Sequence, residues 1–359
     1  MAVKQRRASE WRRTGLVALL TAAFMWLLLY APTPFVVFEP GLAVPAAPMV
    51  KAEEGDEAGE GAFLLTAVKM IEPNMWNTLR AMADVDRDVY LKSSVLNGYT
   101  KKEYAERLTV VMEGSQNNAV EAAYRYLGLP YQSITTAIVV TDVKQAGENG
   151  GASFKAGDRL LGISGGRRFH APSDIVEELD KAKGQKTISF EVERAGEPLT
   201  VTAVVKASEQ PLTAASLPAA LGVSGLTELR SLEPADAGNS IKVSAGSIGG
   251  PSAGLVFALQ VIDLLTSGDM TGGRRIAATG TIAPDGTVGA IGGIKQKVVI
   301  TSKEGAELFL VPANNYKEAA AKAKAIGTDM EIVSVETLSD AVRQVSSFIG
   351  ASTAPRHSK

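Results

Sequence analysis

The stretch IGGPSAGLVFALQVIDLL, Ile248 to Leu265, decides how this chain is read. Gly249 and Gly250 permit an unusual backbone path, and Pro251 suits the first turn of a helix. From Ala253 onward the run is apolar almost all round, so the helix it forms is a buried one. Ser252 then stands at the head of that helix, beside free backbone N–H groups and the positive end of the helix dipole. A serine so placed has two possible uses. It caps the helix, or it attacks a carbonyl whose developing oxyanion the N–H groups hold. The second use needs a base. In the G-x-S-x-G pattern of one class of hydrolases, an aspartate and then a histidine follow the serine. This chain has two histidines. His170, in GGRRFHAP, precedes the serine and reads as a surface or turn residue. His357 lies two residues from the end, in a tail that cannot hold a base in place.

The remaining candidate base is a lysine, an established partner of serine in nucleophilic catalysis. Only a neutral lysine accepts a proton. With an ordinary pKa of about 10.4, roughly one in a few thousand is neutral at pH 7. Burial away from carboxylates lowers that pKa. Between Thr281 and Thr301 the only acid is Asp285, which suits a depressed lysine. Lys295 and Lys297 both lie there, each between apolar positions of the expected helix, and periodicity does not choose between them.

Outward from this point, strands and helices alternate. Strands are expected over 241–243, 276–282, 308–311 and 331–335. Helices are expected over 251–265, 293–304, 316–325 and 338–348. That alternation is the signature of an α/β domain. Upstream, 127–207 reads differently: ITTAIVVTDV, DRLLGIS, TISFEVER and LTVTAVV are strand-like, with a single helix over 173–183. Several short strands with one helix predict a small, partly open β-barrel or sandwich. Residues 75–130 read as mostly helical, with Asn117 or Asn118 as a cap and Gly128 at the close. Residues 39–62 are rich in Gly, Pro, Ala and acid and read as a solvated linker, followed by a strand over 63–70.

The N-terminus carries Lys4, Arg6, Arg7, Arg12 and Arg13 before the apolar run GLVALLTAAFMWLLLYA, Gly15 to Ala31. About 20 apolar residues span a bilayer. No Lys or Arg follows until Lys51, which places the N-terminus in the cytoplasm and the body outside. A cleaved signal peptide is the rival, but sites near Leu42 to Ala46 fit a small-x-small cleavage signal poorly. The composition excludes several classes. Zero cysteines exclude disulfides and cysteine-based metal sites, and two histidines argue against a histidine metal centre, so no metal is expected. A net charge of -2 gives no reason to expect nucleic acid as a partner. No G-x-x-x-x-G-K-[ST] occurs, so no nucleotide or other cofactor is expected.

Three motifs in order, GPSAG at Gly250 to Gly254, ATGTI at Ala278 to Ile282 and DGTVGAIGGIKQK at Asp285 to Lys297, resemble the proteolytic domain of Lon proteases. The resemblance implies that Ser252 attacks, that Lys297 is its partner, and that Thr279 fixes the lysine amine. Gly249, Gly250, Pro251 and Ala253 would form the backbone loop around the oxyanion. Lon commonly has an aspartate just before GPSAG; here that position is Gly249, with Ser247 the nearest polar residue.

The middle segment resembles a bacterial PDZ domain through LGL (Leu127 to Leu129), GASFKAGDRLLGISG (Gly151 to Gly165) and SDIVEEL (Ser173 to Leu179). That resemblance would put Leu127, Gly128 and Leu129 at a loop receiving a peptide carboxylate. The alternative for Gly128 is that it merely stops a helix. The order membrane helix, PDZ, Lon-type domain is similar to the PDZ-containing Lon-like membrane proteases of bacteria, some of which process secreted peptide pheromones.

The expected fold is thus an α/β Lon-type proteolytic domain plus a small β-rich PDZ domain, with an N-terminal transmembrane helix. Its segments are a cytoplasmic N-terminus and membrane anchor (1–38) and a linker, strand and helical segment (39–126). A PDZ-like domain (127–207), a Lon-like proteolytic domain (215–348) and a disordered tail (349–359) follow. The expected function is an ATP-independent, membrane-anchored, extracytoplasmic serine endopeptidase acting on peptides, loops or unfolded proteins. Two rivals remain: a non-catalytic PDZ adaptor at the membrane surface, and an α/β-hydrolase esterase resting on G-x-S-x-G alone.

Overall fold

The computed structural model describes residues 2–54, 59–143, 154–181, 187–194, 196–205, 211–246 and 248–353. From the N-terminus, α1 (Ala2–Tyr30) leads into β1 (Phe35–Pro45), the short β2 (Val50–Ala52) and β3 (Ala62–Ile71). Then come α2 (Met75–Met82), β4 (Asp88–Leu91), α3 (Lys92–Leu96) and the long α4 (Lys101–Leu127). Within α1, Trp11–Tyr30 has a mean hydropathy of 1.6 and none of it is buried against the body. Its 20 residues measure about 30 Å, the thickness of a bilayer core.

Two expectations for this region are corrected. Residues 35–45 are a strand, not the start of a linker. β1 pairs antiparallel with β3 along its length, with a register shift between Pro40 and Leu42. It pairs with β4 only over Phe35–Phe38. Beyond that point one side of β1 is open, so Pro40 and Pro45 remove no ladder bond there. Likewise, α4 does not begin at Asn117 or Asn118. It begins at Thr100, whose side chain and that of Glu103 form a reciprocal capping box. Asn117 and Asn118 lie mid-helix and reach outward, to the backbone of Arg230 and to Ile282 O respectively.

The middle unit contains β5 (Tyr131–Val143), β6 (Arg159–Ile163), α5 (Pro172–Lys181), β7 (Thr187–Arg194), β8 (Glu197–Val204), the short α6 (Leu217–Ala220) and β9 (Val223–Pro234). The strands form an antiparallel sheet in the order β8-β7-β6-β5-β9, which curls but stays open. Ile175 and Leu179 of α5 pack on Phe190, Val192 and Val201. β9 runs along the whole of β5. A strand that the sequence boundary at 215 assigns to the last domain therefore completes the middle sheet.

The rest of the chain is β10 (Ile241–Val243), a 3-10 turn (Pro251–Ala253), α7 (Gly254–Leu265), β11 (Arg275–Ala278), β12 (Thr281–Ile282), β13 (Val288–Gly289), α8 (Ile294–Lys303), β14 (Leu308–Pro312), α9 (Ala313–Ile326), β15 (Glu331–Val335) and α10 (Leu338–Thr353). The expected strand over 276–282 is thus two, separated by Thr279 and Gly280. α10 continues through 349–353, where a disordered tail was expected; 354–359, with His357, lie outside the described residues.

One six-stranded sheet, β15-β14-β11-β3-β1-β4, joins the two ends of the chain. β3, β11, β14 and β15 are parallel neighbours, while β1 and β4 add antiparallel strands. Side chains alternate across it. Phe63, Leu65, Ile276, Ala278, Leu308 and Leu310 face α4, α7 and α10. Leu64, Ala277, Phe309 and Val311 face α8 and α9. Both faces are covered, which explains why the central strands read as continuous apolar runs.

Because β1 is integral to this sheet, its removal is a test of the architecture. A chain beginning at Thr33 is expected to fold with a cooperative thermal transition. One beginning at Ala46 loses β1 and with it the buried Val36, Val37 and Ala43. Each such buried apolar side chain contributes about 1.5–3 kcal/mol or, for alanine, less. That shorter chain is expected to be insoluble or to lack the transition in circular dichroism.

Candidate active site

α7 and α8 lie on opposite faces of the six-stranded sheet, yet Ser252 and Lys297 meet. They do so where β11 ends beside the longer β3, which runs on to Ile71. Leu65 of β3 pairs with Ala278 of β11. Thr66 and Thr279 are therefore the next residues, the first within β3 and the second just past the end of β11. Lys297, in α8, is 2% exposed. Its Nζ lies 2.8 Å from Thr66 O, 2.8 Å from Ser252 Oγ and 3.0 Å from Thr279 Oγ1.

The donor inventory sets the protons in this cluster. Thr66 O can only accept. Thr279 Oγ1 donates to Ser252 O at 3.1 Å, so toward Lys297 it too accepts. A neutral amine has two N–H donors and one lone pair. Its donors go to Thr66 O and Thr279 Oγ1, and the lone pair faces the Ser252 hydroxyl. Burial alone pushes the Lys297 amine down from its ordinary range to about 7. Such a group is roughly half neutral at pH 7, against one in a few thousand for an exposed lysine. Lys295 is the opposite case. It is partly exposed and pairs with Asp88 Oδ1 at 2.6 Å. That hydrogen bond holds its amine above the ordinary value. Burial and a carboxylate partner thus set apart two lysines that periodicity did not distinguish.

The loop around Ser252 is held from two sides. Gly250 has φ 92°, a conformation that a side chain rarely adopts. Gly280 N–H donates to Ser252 O at 3.0 Å, and Leu255 N–H donates to Gly280 O at 3.1 Å, stitching the loop to the end of β11. From the other side α4 clamps it. Gly250 N–H donates to Leu108 O at 3.0 Å, and Ser115 Oγ donates to Pro251 O at 3.0 Å. A Cβ on Gly249 would stand 2.9 Å from Leu108 Cβ. The glycine found where an aspartate is common in the resembled family is thus the residue that lets α4 close on the loop. Ser247 lies outside the described residues. Ser252 is partly exposed, and beside it Gly114, Ser115, Asn118, Pro251, Thr281 and Ile282 border a cavity of about 190 Å³.

Leu108, Ser115 and the Thr66 carbonyl carry no local signal in the sequence. They reach the loop only through the packing of α4 and β3. Of the residues expected around the oxyanion, Pro251 has no N–H and that of Gly250 is already committed to Leu108 O. The residues expected to form a carboxylate loop lie at the close of α4, where two of their N–H groups are already bonded. Gly128, at φ 67°, caps α4, and its N–H donates to Arg125 O at 3.2 Å. Leu129 N–H donates to Tyr124 O at 2.9 Å. Leu127 and Leu129 pack against the main core. The following strand, β5, pairs with β9 along its length and with β6 only at Ile138 and Val139. His170 is exposed and belongs to the middle unit.

Residues 235–347 match the Lon protease (S16) C-terminal proteolytic domain and are a relative of it. Among curated proteins, a Lon protease of Campylobacter concisus is 36% identical over 95 residues, 26% of this chain and 12% of that protein. A Lon protease of Citrifermentans bemidjiense is 35% identical over 100 residues, 27% of this chain and 12% of that protein. The peroxisomal Lon protease homolog 2 of Caenorhabditis elegans is 32% identical over 114 residues, 32% of this chain and 14% of that protein. The matched region spans only about an eighth of these relatives' length.

Two measurements test the site without any substrate. Titration of isotope-labelled lysines by NMR is expected to give Lys297 a midpoint near 7 and Lys295 one above its ordinary value. Gly249→Asp is expected to push Leu108 away and lower stability by about 1–3 kcal/mol in denaturant unfolding.

Proposed function

We propose that the chain is an ATP-independent, membrane-anchored, extracytoplasmic serine endopeptidase that cleaves exported peptides, loops or unfolded proteins. The observation that carries this reading is the 2.8 Å contact between Ser252 Oγ and a buried amine whose pKa is pushed to about 7. Ser252 Oγ attacks the scissile carbonyl while its proton passes to Lys297 Nζ. The Ser252 and Ala253 N–H groups, at the head of α7, are the donors we assign to the oxyanion. Collapse of the tetrahedral intermediate breaks the C–N bond, and Lys297 returns the proton to the leaving amine. Water then attacks the acyl-serine, again giving its proton to Lys297, and the acid product leaves with Ser252 restored.

Thr279 is the residue we assign to positioning the amine. Its hydroxyl ties Lys297 Nζ to Ser252 O, so base and nucleophile share one support. The sequence carries no P-loop, so we propose substrates that need no forced unfolding. The basic flank and the unburied apolar span of α1 support a retained anchor with the body outside the cytoplasm. The place of β1 in the sheet supports it further, because cleavage near 42–46 would remove that strand. For the middle unit we propose a PDZ-like role in holding substrate, with the open edge of β8 as the place where an extended peptide could add.

Cleavage of an unfolded protein or peptide library by the purified chain tests this reading. Ser252→Ala and Lys297→Arg are each expected to lower the rate by about 10³-fold or more. Lys295→Ala is expected to keep the rate within a few fold. The signs for pH follow from the lowered lysine pKa. The active form is the free base, so kcat/KM rises as pH increases through about 7 and levels off above it. A rate that falls across that range, or one that survives Ser252→Ala, overturns the dyad.

A further inference from the structure

α2 is inside out for a helix on a water-exposed surface. Its buried positions are Thr78, 0% exposed, and Ala81, 1%. Its outward positions are Trp76, 49% exposed, Leu79, 50%, and Met82, 56%, and Val85, in the loop just after it, is 82% exposed. An amphipathic helix in water turns its large apolar side chains the other way. Thr78 tolerates burial because its Oγ1 donates to Asn74 O within the same turn. The outward tryptophan, leucine and methionine have no such account within the chain.

The position of α2 supplies one. Its N-cap, Asn74, donates Nδ2 to Leu29 O, in the last turn of α1, at 2.8 Å. Pro32 and Asn74 form an isolated bridge. Thr33 Oγ1 donates to Pro73 O at 2.7 Å. The first turn of α2 is therefore fastened to the end of the apolar span, at the level where that span ends in Tyr30.

We propose that α2 lies in the membrane interface on the body's side of the bilayer. Trp76, Leu79 and Met82 enter the headgroup–acyl boundary, while the exposed Asn77 and Arg80 reach the headgroups. This rests on the reading of α1 as a membrane anchor. Lipid is favoured over a second copy of the chain for three reasons. The apolar patch is continuous with the membrane helix, and tryptophan is the side chain that prefers this depth. Three residues of one short helix and a loop valine also make a small patch against the roughly 800 Å² per partner of a stable protein interface. The consequence is a body held at a fixed tilt on the bilayer instead of swinging on a tether.

The chain has three tryptophans, at 11, 26 and 76, which makes the test direct. The full chain is reconstituted in vesicles in two forms. One keeps only Trp76 (Trp11→Phe with Trp26→Phe), and the other keeps only Trp26 (Trp11→Phe with Trp76→Phe). Lipids brominated near the top of the acyl chain are expected to quench Trp76 at least twofold. Deeply brominated lipids should quench it less, and iodide should barely reach it. Trp26 should be quenched most by the deeper bromines. If Trp26 is quenched by lipid while Trp76 is quenched by iodide alone, the interfacial placement falls and the anchor stands. If Trp76 is shielded from both and becomes open to iodide on dilution into excess lipid, a second copy covers it and the placement falls again. If neither tryptophan responds to brominated lipid, the anchor itself is wrong and the placement falls with it.

Discussion

The last part of this chain is arranged around one costly group, the Lys297 amine, 2% exposed and with no carboxylate beside it among the described residues. Burying a charge unpaired is strongly unfavourable, so the group gives up its proton instead. At pH 7 this raises the neutral fraction of the lysine by about three orders of magnitude. Polar atoms within β3 and just past the end of β11 satisfy the amine without a counter-charge. There the Thr66 carbonyl and the Thr279 hydroxyl take the amine's two N–H donors. The lone pair is left for the Ser252 hydroxyl. A carboxylate at the same distance would keep the amine charged, as Asp88 does for Lys295.

The requirement explains why the domain is larger than its recognisable part. Residues 235–347 contain the nucleophile loop and α8. The strand that supplies the Thr66 carbonyl and the helix that clamps the loop both lie far upstream. β3 enters the sheet beside β11, and α4 lies across α7 with Leu108 and Ser115 on the loop. α4 also packs against β5 and β9 of the middle unit through Val110 and Leu229, and through the Asn117 bonds to Arg230. One rigid helix thus touches both the nucleophile loop and the middle sheet.

What could be read from the sequence was whatever is encoded locally. The buried helix after GPSAG, the parallel strands and the trio Ser252, Thr279 and Lys297 each announce themselves by apolar runs or by motif. What could not be read was set by pairing at a distance. β1 looks like a linker because Pro40, Gly41 and Pro45 are loop signals, and only its half-open edge makes them harmless. β9 follows a Pro- and Ala-rich segment and looks like the start of a new domain, yet its partner is β5. Gly128 was ambiguous for a different reason. A helix stop and an anion-binding turn both call for a glycine at positive φ, and only the destinations of the neighbouring N–H groups tell them apart. The Thr100 capping box was legible and marks the start of α4 better than the asparagines, which serve tertiary contacts instead.

The same helix end that finishes the apolar span starts the folded body. Between Tyr30 and Phe35 there are four residues, and Thr33 and Pro32 are bonded to the segment at Pro73 and Asn74. β1 then runs straight into the sheet on which Lys297 sits. A flexible tether would need a solvated stretch at this point, and the polar, Gly-rich stretch of this chain falls later, between β2 and β3. The orientation of α1 is therefore passed to the sheet through a strand and a short helix, both hydrogen-bonded at the junction. With α1 in a bilayer, Ser252 and Lys297 would face substrates from a set direction and at a set height.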